Sequence, residues 1–133
     1  MSDITAFNYT PTLPTANQYV IMLDSTRGLN TAVANAASLG ATAGTKRGKW
    51  AGQRVDFVVN CTTQDVTVVR QGWNGAWVTV ASGSATVTAG TPLPIGWMPE
   101  TPDWRIYVLA GGTAPATLSI VGTLTGGDRA SGS

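Results

Sequence analysis

Short runs of apolar and β-branched residues alternate with turn signals over most of the chain. The clearest runs lie at residues 18–24, 54–60, 65–70, 77–80, 85–88, 104–109 and 116–125. Within several of them apolar and polar positions alternate, as in Val66-Thr67-Val68, which is the pattern of a strand with one buried face. Seven or eight short strands at intervals of about 8–12 residues predict an all-β fold, an antiparallel β-sandwich in the form of a jelly roll.

Connections in the second half carry specific turn signals. Residues 61–64 separate the runs at 54–60 and 65–70, and they predict a hairpin between two paired strands. The Asn74-Gly75 pair predicts a second hairpin, because this dipeptide is the strongest short-range signal for one. Residues 91–102 contain four prolines and predict a connection or an edge strand.

Residues 1–17 follow no sustained period, and residues 29–45 are the least readable part of the chain. The expected organisation is an extended N-terminal arm at residues 1–17, a β-sandwich domain at 18–125 and a disordered tail at 126–133. Pro11 and Pro14 prevent regular pairing in the arm, so we expect it to order only on a partner or a sister subunit. Residues 29–45 are rich in Ala, and their pattern leaves open a short helix or an extended loop.

The composition adds a bias toward β structure and a surface with few charges. Apolar residues make up 43% of the 133, and twenty Thr and sixteen Gly suit strands and tight turns. Only 11% of residues are charged and the net charge is +1, which argues against a nucleic-acid or membrane partner. Such a surface suits burial in an assembly, and a neutral surface that is merely soluble fits equally well.

The cysteine count and the N-terminus bear on the compartment. Cys61 is the only cysteine, so the chain forms no internal disulfide. Residues 1–4 lack the basic and apolar segments of a signal peptide, and no apolar run approaches the roughly 20 residues that span a bilayer. The sequence therefore predicts a soluble protein made in a reducing cytoplasm.

The chain offers little for catalysis, and we expect no enzymatic activity, cofactor or metal. It contains no His, the commonest general base and metal ligand, and no phosphate-binding Gly motif. The alternative is a glycosidase-like carboxylate pair, with Asp56 and Asp65 facing each other across the predicted hairpin. Two acids on a sheet surface are more often solvated. Asp103, in the proline-rich connection, is expected to orient a turn.

Lys46, Arg47, Lys49 and Arg54 form the only cluster of positive charge, and Trp50 lies within it. One interpretation is a docking patch for an acidic surface, or a nucleic-acid contact on which Trp50 stacks. The other is a solvated loop with Trp50 in the core.

Tryptophans near turns form a second group of candidates. Trp73 and Trp97 either present a platform for a sugar ring or close an end of the sandwich. Trp77 and Trp104 lie inside strand-like runs, so we expect both in the core.

Residues from about 55 to 125 resemble the small jelly-roll head decoration, or cement, proteins of tailed bacteriophages. The segments that carry the resemblance are Phe57-Val58-Val59-Asn60, Val66-Thr67-Val68, residues 84–90, Ile95-Gly96-Trp97-Met98-Pro99 and Leu118-Ser119-Ile120-Val121-Gly122. The likeness lies in short Val/Thr strands, Gly/Pro loops, few charges and the absence of His.

This resemblance implies a structural role on the exterior of a virion. Proteins of the group bind the outside of a phage head as dimers or trimers and hold neighbouring capsomers together, without a cofactor or a reaction. It implies the major capsid protein as partner and residues 1–17, with Pro11 and Pro14, as the capsid-contacting arm. The alternative function is a carbohydrate-binding β-sandwich module of a virion appendage or a secreted enzyme.

Overall fold

A computed structural model of the protein describes residues 4–10, 13–25, 34–35, 52–101 and 103–125, and the regular structure in these ranges is entirely β-strand. The strands are β1 (Ile4–Tyr9), β2 (Gln18–Asp24), β3 (Ala34–Asn35), β4 (Arg54–Thr62), β5 (Val66–Trp73), β6 (Trp77–Val87), β7 (Leu93–Trp97), β8 (Trp104–Ala110) and β9 (Thr117–Thr125). The all-β prediction is confirmed.

The strands form two antiparallel sheets, one in the order β1-β9-β4-β7 and the other in the order β3-β2-β8-β5-β6. Strand β1 pairs with β9, β2 with β8, β4 with β7 and β5 with β6. One long hairpin rolled around itself has these pairings, and this arrangement is the eight-stranded jelly roll. Strand β3 adds a short ninth strand beside β2. The predicted sandwich and its jelly-roll form are confirmed.

The core lies between the two sheets. Strand β4 alternates along its length, with Val55, Phe57 and Val59 turned inward and at most 2% exposed. The opposite sheet contributes residues such as Ile106 and Val108, both 0% exposed. Burial of each large apolar side chain stabilises the fold by about 1.5–3 kcal/mol, so this layer is the main source of stability.

A smaller apolar cluster lies on the other face of the five-stranded sheet. Tyr19 and Ile21 of β2 meet Val69 of β5 and Tyr107 of β8, and all four are at most 6% exposed. The rings of Tyr19 and Tyr107 meet edge to face with centroids 5.8 Å apart. Strand β2 is therefore buried on both faces, as its unbroken apolar run predicts.

The first strand corrects the prediction of an N-terminal arm outside the sandwich. Ile4–Tyr9 is extended, but it is a strand of the four-stranded sheet, paired with β9 from Ile4 opposite Thr125 to Tyr9 opposite Ile120. Phe7 inserts into the core and is 5% exposed. The prolines do not prevent this pairing because both follow the strand.

The connection after β4 corrects the prediction of a hairpin at residues 61–64. Strands β4 and β5 do not pair; they belong to different sheets, and the chain crosses between the sheets at this point. Thr63 takes a left-handed backbone conformation there, with φ of 77°. The prediction of a turn at these residues was correct. However, β4 pairs with β9 and β5 pairs with β8, so the two strands lie in different sheets.

The other connections agree with the sequence where the structure describes them. Asn74 and Gly75 lie in the turn of the β5–β6 hairpin, whose last paired residues are Trp73 and Trp77. The proline-rich segment contains β7, which is an edge strand. Within residues 29–45, Ala34–Asn35 is extended and pairs with β2. The rest of that segment and the predicted tail lie outside the described residues.

Candidate functional site

The tip of the β5–β6 hairpin carries an aromatic pair. The rings of Trp73 and Trp77 meet edge to face, with centroids 5.3 Å apart and planes at 65°. Both side chains are partly exposed. Trp73 therefore has a surface that a ligand can reach, whereas Trp77 does not lie in the core as its place in a strand suggested.

A buried arginine lies against this pair. Arg105 of β8 is 1% exposed, and its guanidinium carbon is 4.3 Å from the centre of the Trp77 ring. Its Nε donates a hydrogen bond of 2.8 Å to Oε1 of Gln71, whose Nε2 donates one of 3.2 Å to Oγ1 of Thr79. These residues and Trp73 form what we call the tryptophan–arginine cluster, which ties the hairpin to β8.

Burial lowers the pKa of the Arg105 guanidinium below its ordinary value. The group still carries its charge at neutral pH, because an arginine is not deprotonated in proteins. One signal for this cluster is present in the sequence, which is the charged Arg105 inside the apolar run at residues 104–109. Its partner Gln71 could not be identified, because β5 and β8 are distant in the chain.

Trp97 does not belong to an exposed site. It is 7% exposed and its ring meets that of Trp104 edge to face, with centroids 5.8 Å apart. The Arg70 guanidinium carbon lies 5.6 Å from the centre of the Trp97 ring. The alternation of β7 turns Trp97 inward although prolines flank it, so of its two predicted roles it closes the sandwich and offers no platform to a ligand. The expected core position of Trp104 is confirmed.

Of the remaining sequence candidates, Pro14 is buried and presents no surface to a partner. The others, which are Pro11, Lys46, Arg47, Lys49 and Trp50, lie outside the described residues.

The structure separates the two carboxylates proposed as a pair. Asp56 lies on β4 and forms an ion pair with Arg54, with Nη2 and Oδ1 3.1 Å apart. Asp65 lies beside β5, in the other sheet, and its Oδ1 accepts a hydrogen bond of 2.8 Å from the backbone N–H of Ala89. The predicted hairpin that would have brought them together does not form, so the basis for expecting a glycosidase pair at these two residues is lost.

Two buried groups have structural roles. Asp103 accepts a hydrogen bond of 3.0 Å from Oγ of Ser25, which ties the segment before β8 to the end of β2. The Cys61 thiol donates a bond of 3.5 Å to the carbonyl of Val87, and burial raises its pKa. The thiol therefore stays protonated and weakly nucleophilic at neutral pH.

A broad exposed surface lies on the outside of the four-stranded sheet. Because the intervening residues point into the core, the outward side chains of β1, β9, β4 and β7 share one face, which we call the outer sheet face. Its residues are Ala6, Asn8, Arg54, Asp56, Val58, Asn60, Thr62, Pro94, Gly96, Thr117, Ser119, Val121 and Thr123.

The centre of the outer sheet face is apolar. Asn8, Val121, Val58 and Pro94 are register partners and form one row across the four strands. Val121 is 39% exposed, a large fraction for an apolar residue in a central strand. Gly96 leaves a shallow depression beside this row.

Small polar groups and one ion pair surround this centre. At one end, the hydroxyls of Thr62 and Thr117 are hydrogen-bonded at 2.7 Å. At the other end, the Arg54–Asp56 pair lies over Gly96, where an added Cβ would be 2.6 Å from Nη2 of Arg54. Both charges of the face are thus neutralised within one strand. Sequence reasoning missed this surface because it depends on the register of four strands that are not consecutive.

The described part of the chain contains no group of three or more His, Cys, Asp or Glu side chains that could hold a metal ion. Nor does it contain a helix long and apolar enough to cross a membrane.

Comparison with known proteins finds solved structures with a similar fold. No family model matches the sequence. No curated protein matches it either. A structure of Bacillus endospore appendages, a family of disulfide-linked pili, aligns with 94% of this chain and 85% of its own at 12% identity and a TM-score of 0.54. The crystal structure of PBSX exported protein XepA aligns with 93% of this chain and 36% of its own at 14% identity and a TM-score of 0.57. At such identities the likeness shows the fold alone.

Proposed function

We propose that this protein is a structural component of a phage particle, a decoration or cement protein that binds the outside of the head and stabilises contacts between capsomers. Its partner is the major capsid protein, and it acts there as a homodimer or homotrimer. The observation that carries the proposal is the outer sheet face, with its apolar centre, small polar surroundings and internally neutralised charge.

The composition of this face suits attachment by contact area. Val58, Val121 and Pro94 lose water on burial, which is favourable in proportion to the apolar area removed. The surrounding Thr, Ser and Gly residues have little side-chain freedom to lose. The Arg54–Asp56 pair keeps its internal partner on docking. A protein surface of similar polarity can therefore cover this face without leaving a charge unpaired.

The size of the face explains why many copies are needed. The four strands have six, nine, nine and five residues, and at the usual strand rise and spacing they cover roughly 450 Å². Each partner of a standard stable interface contributes about 800 Å², so one such contact is weak. Linking two or three copies in an oligomer raises the strength of attachment through effective concentration.

The two structural neighbours support this class of function. One belongs to a family of disulfide-linked pili and the other is PBSX exported protein XepA. A fold of this kind thus occurs in a protein that assembles into appendages and in one that is exported.

A matched pair of variants tests the proposal. Val121→Glu places a charge at the centre of the outer sheet face, and Val78→Glu places the same charge on β6 of the other sheet. Val121 and Val78 are 39% and 46% exposed, so both variants are expected to fold. In cosedimentation with empty heads of the encoding phage, the parent protein and V78E should pellet and V121E should stay in the supernatant.

Two outcomes would contradict the proposal. One is a parent protein that does not pellet with heads at any concentration. The other is retention of binding in V121E with loss in V78E, which would move the contact to the β5–β6 hairpin.

The half-exposed Trp73 favours one alternative, a carbohydrate-binding module. Stacking of a sugar on its ring would account for an aromatic side chain held at the surface by Trp77. Trp73→Ala should then abolish binding on a glycan array while Val121→Glu leaves it intact. Under the decoration function the parent protein binds no glycan, and W73A attaches to heads like the parent.

A further inference from the structure

The turn between β5 and β6 contains a reactive dipeptide. Asn74 is the only asparagine in the sequence that is followed by glycine. Asn74, Gly75 and Ala76 are all exposed. We infer that Asn74 is a site of spontaneous deamidation in the folded protein, with its own side-chain amide and a water molecule as the reactants.

The geometry leaves the attacking nitrogen accessible. Gly75 has φ of +107°, and the space that a Cβ would occupy there contains no atom within 4 Å. In the described part of the chain, the N–H of Gly75 donates no hydrogen bond, whereas the N–H of Asn74 donates one of 3.1 Å to the carbonyl of Ala76. A glycine also has no side chain to shield its amide nitrogen.

The reaction needs no cofactor. The Gly75 nitrogen loses its proton and attacks Cγ of Asn74, and the bond from Cγ to Nδ2 breaks, so that ammonia leaves with the proton. The product is a five-membered succinimide. Water then opens the ring at Cγ, which gives aspartate, or at the backbone carbonyl of residue 74, which gives isoaspartate.

The other asparagines of the described segments are differently placed. Asn17 also lies in an exposed turn, but the N–H of the following residue, Gln18, donates a hydrogen bond of 3.0 Å to the carbonyl of Thr15. Asn8 and Asn60 lie inside strands that pair with β9, and Asn35 lies in β3, which pairs with β2. Asn17 is therefore an internal control with the same exposure and an engaged nitrogen.

The modification changes the tip of the hairpin. Isoaspartate adds a carbon to the backbone between Trp73 and Trp77, which are register partners. Either product also adds a negative charge beside the aromatic pair. Isoaspartate therefore alters the backbone that sets the register of the two rings, whereas aspartate adds the charge alone.

Peptide mapping of the intact protein tests this inference. After incubation of the folded protein at mildly alkaline pH, the peptide with Asn74 should show the mass gain of NH₂ replaced by OH. It should also be a substrate for isoaspartyl methyltransferase. The Asn17 peptide should remain unmodified, the conversion of Asn74 should rise with pH, and Asn74→Gln should lose the signal.

Conversion of Asn74 no faster than that of Asn17 would overturn the inference. So would conversion seen only after denaturation, since it would show that the folded turn protects the amide.

Discussion

Gly122 lies on β9 opposite Phe57 of β4 and opposite Phe7 of β1. A Cβ at this position would overlap the carbonyl oxygen of Asp56 and lie 2.7 Å from Cα of Phe57. These are backbone atoms of a paired strand, so they cannot move aside as a flexible side chain would. A side chain here therefore forces β9 and β4 apart in the middle of the sheet.

Gly122→Ala should destabilise the protein by about 2–3 kcal/mol, because overpacking against backbone is not relieved by a rotamer change. Gly112→Ala is the control, since nothing lies within 4 Å of its Cβ position, and it should change stability by less than about 0.5 kcal/mol. Urea denaturation measures both values. Equal stabilities for the two variants would show that β4 and β9 are not packed as described.

Tyr107 gives the protein a dependence on alkaline pH. Burial raises the pKa of its phenol above the ordinary value of 10.0, Arg105 lowers it, and Tyr19 raises it further. The folded state thus favours the neutral phenol. Its contribution to stability is complete below pH 10.0 and is lost as the pH rises toward the folded-state pKa, because the unfolded chain ionises first.

Tyr107→Phe should therefore flatten the loss of stability above pH 10.0 relative to the parent protein. Denaturation midpoints of the two proteins, measured at neutral pH and at pH values above 10, provide the comparison. Identical slopes in the alkaline range would contradict the buried position of this phenol.

At the scale of the element, β1 shows what the sequence could not predict. Phe7 is its one buried residue among those whose side chains are described. One buried apolar residue does not produce the alternating pattern by which a strand is recognised in a sequence. The partner strand β9 also lies at the other end of the chain. The strands of the second half were predictable because their alternation is local. Their pairing was not, since β4 and β5 pair with distant strands rather than with each other.

The same distinction applies to the candidate site. Trp73 was predictable because the Asn74-Gly75 turn places it at a hairpin tip. The contact of Arg105 with Gln71 and the outer sheet face were not, since each needs the register between strands that are not consecutive. The sequence left two roles open for Trp97 because prolines flank it, and the pairing of β7 with β4, which turns the ring inward, decides between them.

Phe7→Ala tests whether β1 belongs to the folded domain. The change removes a buried ring and should cost about 3–5 kcal/mol, with a matching fall in the thermal midpoint. Asn8→Ala, on the exposed side of the same strand, should have little effect. A stability unchanged by F7A would restore the interpretation of residues 1–17 as an arm that orders only on a partner.

At the scale of the whole molecule, the two sheets differ in what they present outward. The five-stranded sheet has buried Tyr19, Tyr107 and Arg105 on the face away from the core. The four-stranded sheet leaves Val121 and its neighbours open. Among the described residues, the outer sheet face is therefore the side of the sandwich with an open apolar centre, and the proposed decoration function expects that side to face the shell.

Electron cryomicroscopy of empty heads mixed with an excess of the protein tests the central claim most directly. The decoration function predicts added density at regular positions on the outside of the shell, into which the jelly roll fits with the outer sheet face toward the capsid and the β5–β6 hairpin away from it. Heads without added density, or density attached through the hairpin tip, would contradict it.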